Sequence, residues 1–232
     1  MAGTDRTGRA RRTRRPTAVE APEARGRPND ERAEQILAAA CRAIVRHGFG
    51  ETRIADIARE AGVSTGTVHY YFETRDDVLI AALTWANEQP NHRLAQALDE
   101  AAEAKTKLAR LLELSVPYPG ELYEDYVLWI ELWTRALHEP DLLPATDKLS
   151  QRWRSYFFET IREGVESGEF RPVAPPDEVA ERLIGLVDGI GFQAALRHLG
   201  MEPERMRELL FQFAAEQLSV PYEELERLSV RK

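Results

Sequence analysis

With 232 residues and 43% hydrophobic content, the chain can fill one large domain or two modest ones around a sizeable core. Its longest apolar runs, such as Ile184-Gly185-Leu186-Val187, fall far short of the roughly 20 residues that a membrane-spanning helix needs. No apolar segment follows the N-terminal arginines as in a secretory signal, so the expected location is the cytoplasm, with no membrane partner. The formal net charge of −8 counts against nucleic acid only until its distribution is read: residues 1–79 hold 14 Arg against 12 acidic side chains, and residues 80–232 hold 17 basic against 27 acidic ones.

Residues 1–28 carry eight Arg, three acids and almost no large apolar side chain, the composition of a disordered tail. Such a tail can lie along DNA phosphates or the minor groove, or stay solvated. Asn29 or Asp30 can cap a first helix with apolar Ile36, Leu37, Ala40, Ile44 and Val45 at helical spacing. Cys41, the single cysteine, falls on that apolar stripe and reads as a core residue. Gly48 ends the helix in a left-handed conformation, and Thr52 is placed to cap a second helix from Arg53 to Ala61. Gly62-Val63-Ser64 forms a turn, Ser64 or Thr65 caps a third helix reaching about Tyr71, and Thr74 with Asp77 has the spacing of a capping box for a fourth. From there the pattern is helical throughout, with expected helices near 75–101 (kinked or broken at Pro90), 104–115, 121–138, 141–167, 177–199 and 203–218. The fold class is therefore all-α with about nine helices. A helix-turn-helix head at 29–77 precedes a helical ligand-binding and dimerisation domain at 78–232.

The stretch from Thr52 to Asp77 reads TRIADIAREAGVSTGTVHYYFETRDD. Ile54, Ile57, Ala58 and Ala61 face inward, and Val63 and Val68 close the turn. A short helix enters a major groove only with small or polar residues at its N-terminal end, and Ser64, Thr65, Gly66 and Thr67 supply them. Gly66 lets backbone approach DNA, His69, Tyr70 and Tyr71 offer long donors, and Arg75 adds a charge for a phosphate. Capping alone also accounts for the threonines, packing alone accounts for Phe72, and Tyr71 can pack on one face while its hydroxyl reaches outward. The motif resembles the TetR family head, Gly-Val-Ser-x-Gly-Thr-x-Tyr-x-Tyr-Phe-x-x-Lys after an Ile-Ala-x-x-Ala-Gly helix, with His69 in place of a commoner tyrosine and Arg75 in place of a commoner lysine. That resemblance implies a dimeric regulator on a palindromic operator in double-stranded DNA, usually a repressor released by a small-molecule effector. Thr67 and His69 would approach base edges, and Thr52, Arg53, Ser64, Tyr70, Tyr71 and Arg75 would hold the DNA backbone.

In that family the last two helices, here 177–199 and 203–218, form the homodimer interface. Gly185 and Gly189, four apart, would allow close helix approach. LWIELWTRALHE (128–139) and LIGLVDGIGFQAAL (183–196) are similar to the sensor domain of the choline-responsive Bet-type branch. Tyr123, Tyr126, Trp129 and Trp133 fall on related helical faces, with Glu124, Asp125, Glu131 and Asp188 as neighbouring acids. Aromatic faces with carboxylates suit a cation, so Tyr126, Trp129, Trp133, Asp188 and Phe192 form the candidate pocket for a quaternary amine or polyamine. A flat acyl ligand, or tryptophans that are simply core, remain open on the same residues. His47, His69, His92, His138 and His198 are scattered without metal-ligand spacing, and no nucleophile elbow or Gly-rich phosphate loop occurs, so neither an enzyme nor a cofactor is expected. The remaining alternative is a DNA-binding protein without ligand control, which would have no cavity in its second half.

Overall fold

The computed structural model describes residues 31–229, except the side chain of residue 91. The arginine-rich tail and the Asn29 or Asp30 cap lie outside the described residues. Among the described residues, ten α-helices and two short 3₁₀ segments make up the order: α1 (Glu31–His47), α2 (Ile54–Ala61), α3 (Thr65–Tyr71), α4 (Arg75–Asp99), α5 (Ala104–Leu114), α6 (Glu121–His138), Pro140–Leu142, α7 (Leu143–Glu166), α8 (Pro176–Ala195), His198–Gly200, α9 (Pro203–Leu218) and α10 (Tyr222–Leu228). No strand is present among the described residues.

Local signals set most boundaries. Gly48 and Gly62 adopt φ of 77° and 66°, so each ends its helix at a conformation that other residues take only with strain. Ser64 Oγ accepts the Thr67 backbone N–H at 3.0 Å, which makes Ser64 the cap of α3. Thr74 and Asp77 form the expected reciprocal capping box on α4.

Four expectations need correction. Thr52 does not cap α2: its hydroxyl donates to Gly48 O at 2.7 Å, and Asp56 caps the helix by accepting from Arg53 N. Of the kink or break expected at Pro90, the break does not occur: α4 runs as one helix across it. The missing N–H removes one backbone bond, but packing along both halves of the helix outweighs that local loss. The helix expected at 177–199 ends at Ala195, because Arg197 and Leu199 take left-handed backbone conformations. The seven-residue α10 lies beyond the last helix expected from the sequence.

Two apolar clusters organise the molecule. One joins Ile36, Ile44, Ile57, Val68 and Phe72 to Leu79 and Leu83 of α4, and Leu128 and Leu132 of α6 complete it. The other packs α5 and α7–α10 through Leu108, Leu111, Phe157, Ile161, Leu183 and Phe211. Each fully buried side chain of this size contributes roughly 1.5–3 kcal/mol. Helix α4 starts in the first cluster and ends, at Leu94 and Leu98, in the second. It is therefore a mechanical connection between them. Cys41 is buried in the first cluster, and burial pushes its thiol up to about 12.

Candidate DNA-reading face and effector cavity

The second helix is locked to the first by polar contacts along its edge. Glu60 pairs with Arg42 at 2.8 Å and Arg46 at 3.0 Å, and Gln35 Nε2 donates to Ala61 O. With the inner faces of α2 and α3 consumed by Ile57, Ala58, Ala61 and Val68, the outer face of α3 presents Ser64, Thr65, Gly66, His69 and Tyr70 to solvent. Tyr70 is 69% exposed and its ring meets that of Tyr71 edge-on at 5.1 Å. Tyr71 and Phe72 are buried. Thr67 is half-buried, its hydroxyl 2.9 Å from that of Ser64. Arg53 is exposed at the start of α2. Thr65, Gly66, His69, Tyr70 and Arg53 thus share an outward surface with the N-terminal end of α3 at its centre.

Besides the buried Tyr71, two residues expected on this surface are turned elsewhere. Thr52 is completely buried. The Arg75 guanidinium donates to the carbonyls of Thr52 at 2.6 Å and Gly50 at 2.8 Å and to that of Phe49, and pairs with Asp76. Three carbonyls of the α1–α2 loop are thereby tied to the first residue of α4. The Arg75 and Arg135 guanidiniums lie over the Phe49 ring, at 5.4 and 4.4 Å, and the Phe49 backbone N–H donates to Glu131 Oε1 at 3.4 Å. Glu131, grouped with the pocket acids on sequence spacing, instead joins α6 to the head. Head position and α6 position are physically linked through this loop.

The candidate effector region is a cavity of about 110 Å³ lined by residues of α4, α5, α6, α7 and α8. Tyr126, Trp129 and Trp153 supply aromatic surface, Leu94, Leu111, Leu122, Leu149 and Val187 supply apolar surface, and Arg93, Asp125 and Asp188 are the charged lining residues. Trp129 is 6.1 Å from Tyr126 and 6.2 Å from Trp153, so rings from α6 and α7 meet. The Tyr126 hydroxyl donates to Val187 O at 3.1 Å. Tyr126 reaches that carbonyl only because residue 191 is glycine: a Cβ there would overlap the hydroxyl. Asp188 Oδ1 is buried with no hydrogen-bond partner. Burial pushes the Asp188 carboxyl up to about 6, opposed by the charge of Arg154. Burial does the same to Asp125, also to about 6, against the pull of Arg93. A low-polarity chamber with one unpartnered carboxylate suits a ligand that brings positive charge but little need for hydrogen bonds.

Tyr126, Trp129 and Asp188 are thus brought together, whereas Trp133 and Phe192 are not. Trp133 stacks on Trp129 at 4.3 Å but is 40% exposed, and Phe192 is 47% exposed one turn beyond Asp188. Neither lines the cavity. Helical spacing places both on a plausible face but does not show where the cavity wall stops. Trp153, Arg93 and Asp125 complete the chamber. Asp125 is visible in the sequence as a nearby acid, but nothing local ties Trp153 or Arg93 to it.

Among the described residues no helix is long and apolar enough to cross a membrane, and no group of His, Cys, Asp or Glu is arranged to hold a metal ion. Residues 36–82 match the family described as bacterial regulatory proteins, tetR family, and residues 104–219 match the BetI-type transcriptional repressor C-terminal family. The HTH-type transcriptional regulator BetI of Cronobacter sakazakii is 30% identical over 84% of this chain and 96% of its own. The HTH-type transcriptional regulator PksA of Bacillus subtilis is 28% identical over 79% and 88% respectively. A solved structure of a transcriptional regulator from Saccharomonospora viridis in complex with choline superposes with a TM-score of 0.76 at 34% identity, covering 81% of this chain and 97% of that one.

Proposed function

Because the chain belongs to the tetR family of bacterial regulatory proteins, and so is a DNA-binding transcriptional regulator and not an enzyme, we propose that it is a repressor released from a palindromic operator by a small organic monocation of the quaternary-ammonium class. The single observation that carries the ligand assignment is the cavity itself, with Tyr126, Trp129 and Trp153 around a carboxylate, Asp188, that has no hydrogen-bond partner on one oxygen. A methylated ammonium takes cation–π attraction from the rings, and leaves no hydrogen-bond donor stranded in a chamber with few acceptors. The choline in the Saccharomonospora viridis relative supports the same class.

On this reading residues 29–77 form the reading head and 78–232 the sensing unit. Thr65, Gly66, Thr67 and His69 meet base edges, while Arg53, Ser64 and Tyr70 hold phosphates. Homodimerisation uses α8 and α9, where Gly185 and Gly189 have open space above them and Phe192, Leu196 and Leu199 leave an apolar edge uncovered. Ligand seated between α4 and α6 moves α4, whose first residue is tied to the head by Arg75, and the spacing of the two heads changes. The test of the ligand class is calorimetric titration of choline into the full-length protein and into Trp129→Ala and Asp188→Asn. Binding to the wild type and loss of at least about tenfold in each variant is expected. Equal affinity in all three would refute the site.

A further inference from the structure

The cavity contains two carboxylates and one guanidinium, and these three groups are not equivalent. Arg93, projecting from α4, donates to Asp125 and, through Nη1, to Glu121 Oε1 at 2.8 Å. Glu121 is largely exposed, so it anchors Arg93 at the mouth, while Asp125 is the partner inside. Asp188, on α8, has one oxygen with no partner. One carboxylate is therefore already answered by a cation that belongs to the protein, and one is open. With both carboxylates ionised the lining residues carry one net negative charge, and Arg154, outside the lining, acts on Asp188 without an ion pair. In a chamber of low polarity, unmatched charge of either sign is expensive.

We infer that Arg93 is a built-in counter-ion that occupies one of two carboxylate subsites and thereby restricts the cavity to ligands carrying one positive charge. This inference rests on the cationic reading of the cavity and adds a charge count to it. A monocation entering beside Asp188 brings the lining to neutrality. A diamine brings one charge too many, because Asp125 is taken. Removing Arg93 opens the second subsite, and the balance then favours two positive charges. Removing Asp125 leaves Arg93 paired only with the exposed Glu121, so its charge inside the cavity opposes the cation formerly accepted. Removing both restores the original balance.

The experiment measures choline and 1,4-diaminobutane binding by calorimetry on the full-length dimer at pH 7.5, for wild type, Arg93→Gln, Arg93→Lys, Asp125→Asn and the Arg93→Gln/Asp125→Asn double variant. Wild type should prefer choline, and Arg93→Gln should shift the diamine-to-choline affinity ratio by at least about tenfold toward the diamine. Arg93→Lys should keep the wild-type order. Asp125→Asn should lose choline by about tenfold or more, and the double variant should recover most of it. A folding defect in Arg93→Gln does not mimic that recovery. Should wild type bind choline while the ratio stays unchanged in Arg93→Gln and the double variant fails to recover, the counter-ion role of Arg93 is overturned and the cationic reading survives. Should no variant, wild type included, bind either amine, both fall together.

Discussion

Replacing Asp188 by Asn should make the ligand-free protein more stable and the same protein a poorer sensor. In the fold, burial moves the Asp188 carboxyl from an ordinary 3.8 to about 6, and only the charge of Arg154 pulls it back. At about 1.4 kcal/mol for each tenfold change in proton affinity, holding this group ionised costs about 3 kcal/mol, reduced to about 1–2 kcal/mol because it is only partly shielded from solvent. The folded-state pKa is raised, so the carboxyl's contribution to stability is fully present below about 3.8 and is lost as pH rises through about 6. The neutral amide of the Asp188→Asn variant avoids that loss. At pH 7.5 the variant should melt about 3–6 °C above wild type, and at pH 4 the two melting temperatures should converge. Thermal melts followed by circular dichroism across pH 4–8 measure both. Equal melting temperatures at pH 7.5, or a gain that persists undiminished at pH 4, would show that Asp188 carries no such penalty.

The same titrations govern ligand binding: choline affinity should fall several-fold for each pH unit below about 6, as Asp125 and Asp188 take up protons, with little change between pH 7 and 8. Calorimetry at stepped pH checks this, and a flat profile down to pH 5 contradicts it. Gly191→Ala pushes the Tyr126 hydroxyl off Val187 O, so it should lose about 2–4 kcal/mol of stability in denaturant melts and weaken choline binding with it. Arg75→Ala releases three loop carbonyls and should cost about 1–3 kcal/mol as well as operator affinity, whereas an arginine used only on phosphate would leave stability untouched. His69→Ala and Tyr70→Phe alter exposed groups, so operator affinity in fluorescence-anisotropy titrations should drop about 5- to 100-fold while melting temperatures stay within about 1 °C.

What is legible in the sequence follows the range of the interactions involved. The span 121–138 reads correctly because Gly120 and the Glu139-Pro140 pair bracket a strongly periodic run, and the Ser64 and Thr74 caps do so because capping acts within one helical turn. A break at Pro90 does not occur because the helix is packed along both halves. Thr52 and Arg75 are expected to face outward because their types suit phosphate, yet Thr52 turns back onto Gly48 O four residues before it, and Arg75 satisfies α1–α2 loop carbonyls that only the folded chain brings near. The cavity is half legible. Tyr126 and Trp129 lie three residues apart on one helix, so spacing alone places them together, whereas Trp153, Arg93 and Asp188 arrive from three other helices. Helix periodicity says which side of a helix is apolar, not where along that side a void opens, and Trp133 and Phe192 fall among the candidates for that reason.

A physical link between an occupied cavity and the DNA-reading face is the central claim, and one measurement tests it most directly. An operator duplex selected from random sequence is titrated with the full-length dimer by fluorescence anisotropy, with and without choline at a concentration that calorimetry shows to be saturating. The operator affinity should fall by at least about tenfold with choline present, and Asp188→Asn should bind the operator normally without responding. A saturated cavity that leaves operator affinity unchanged would contradict that link.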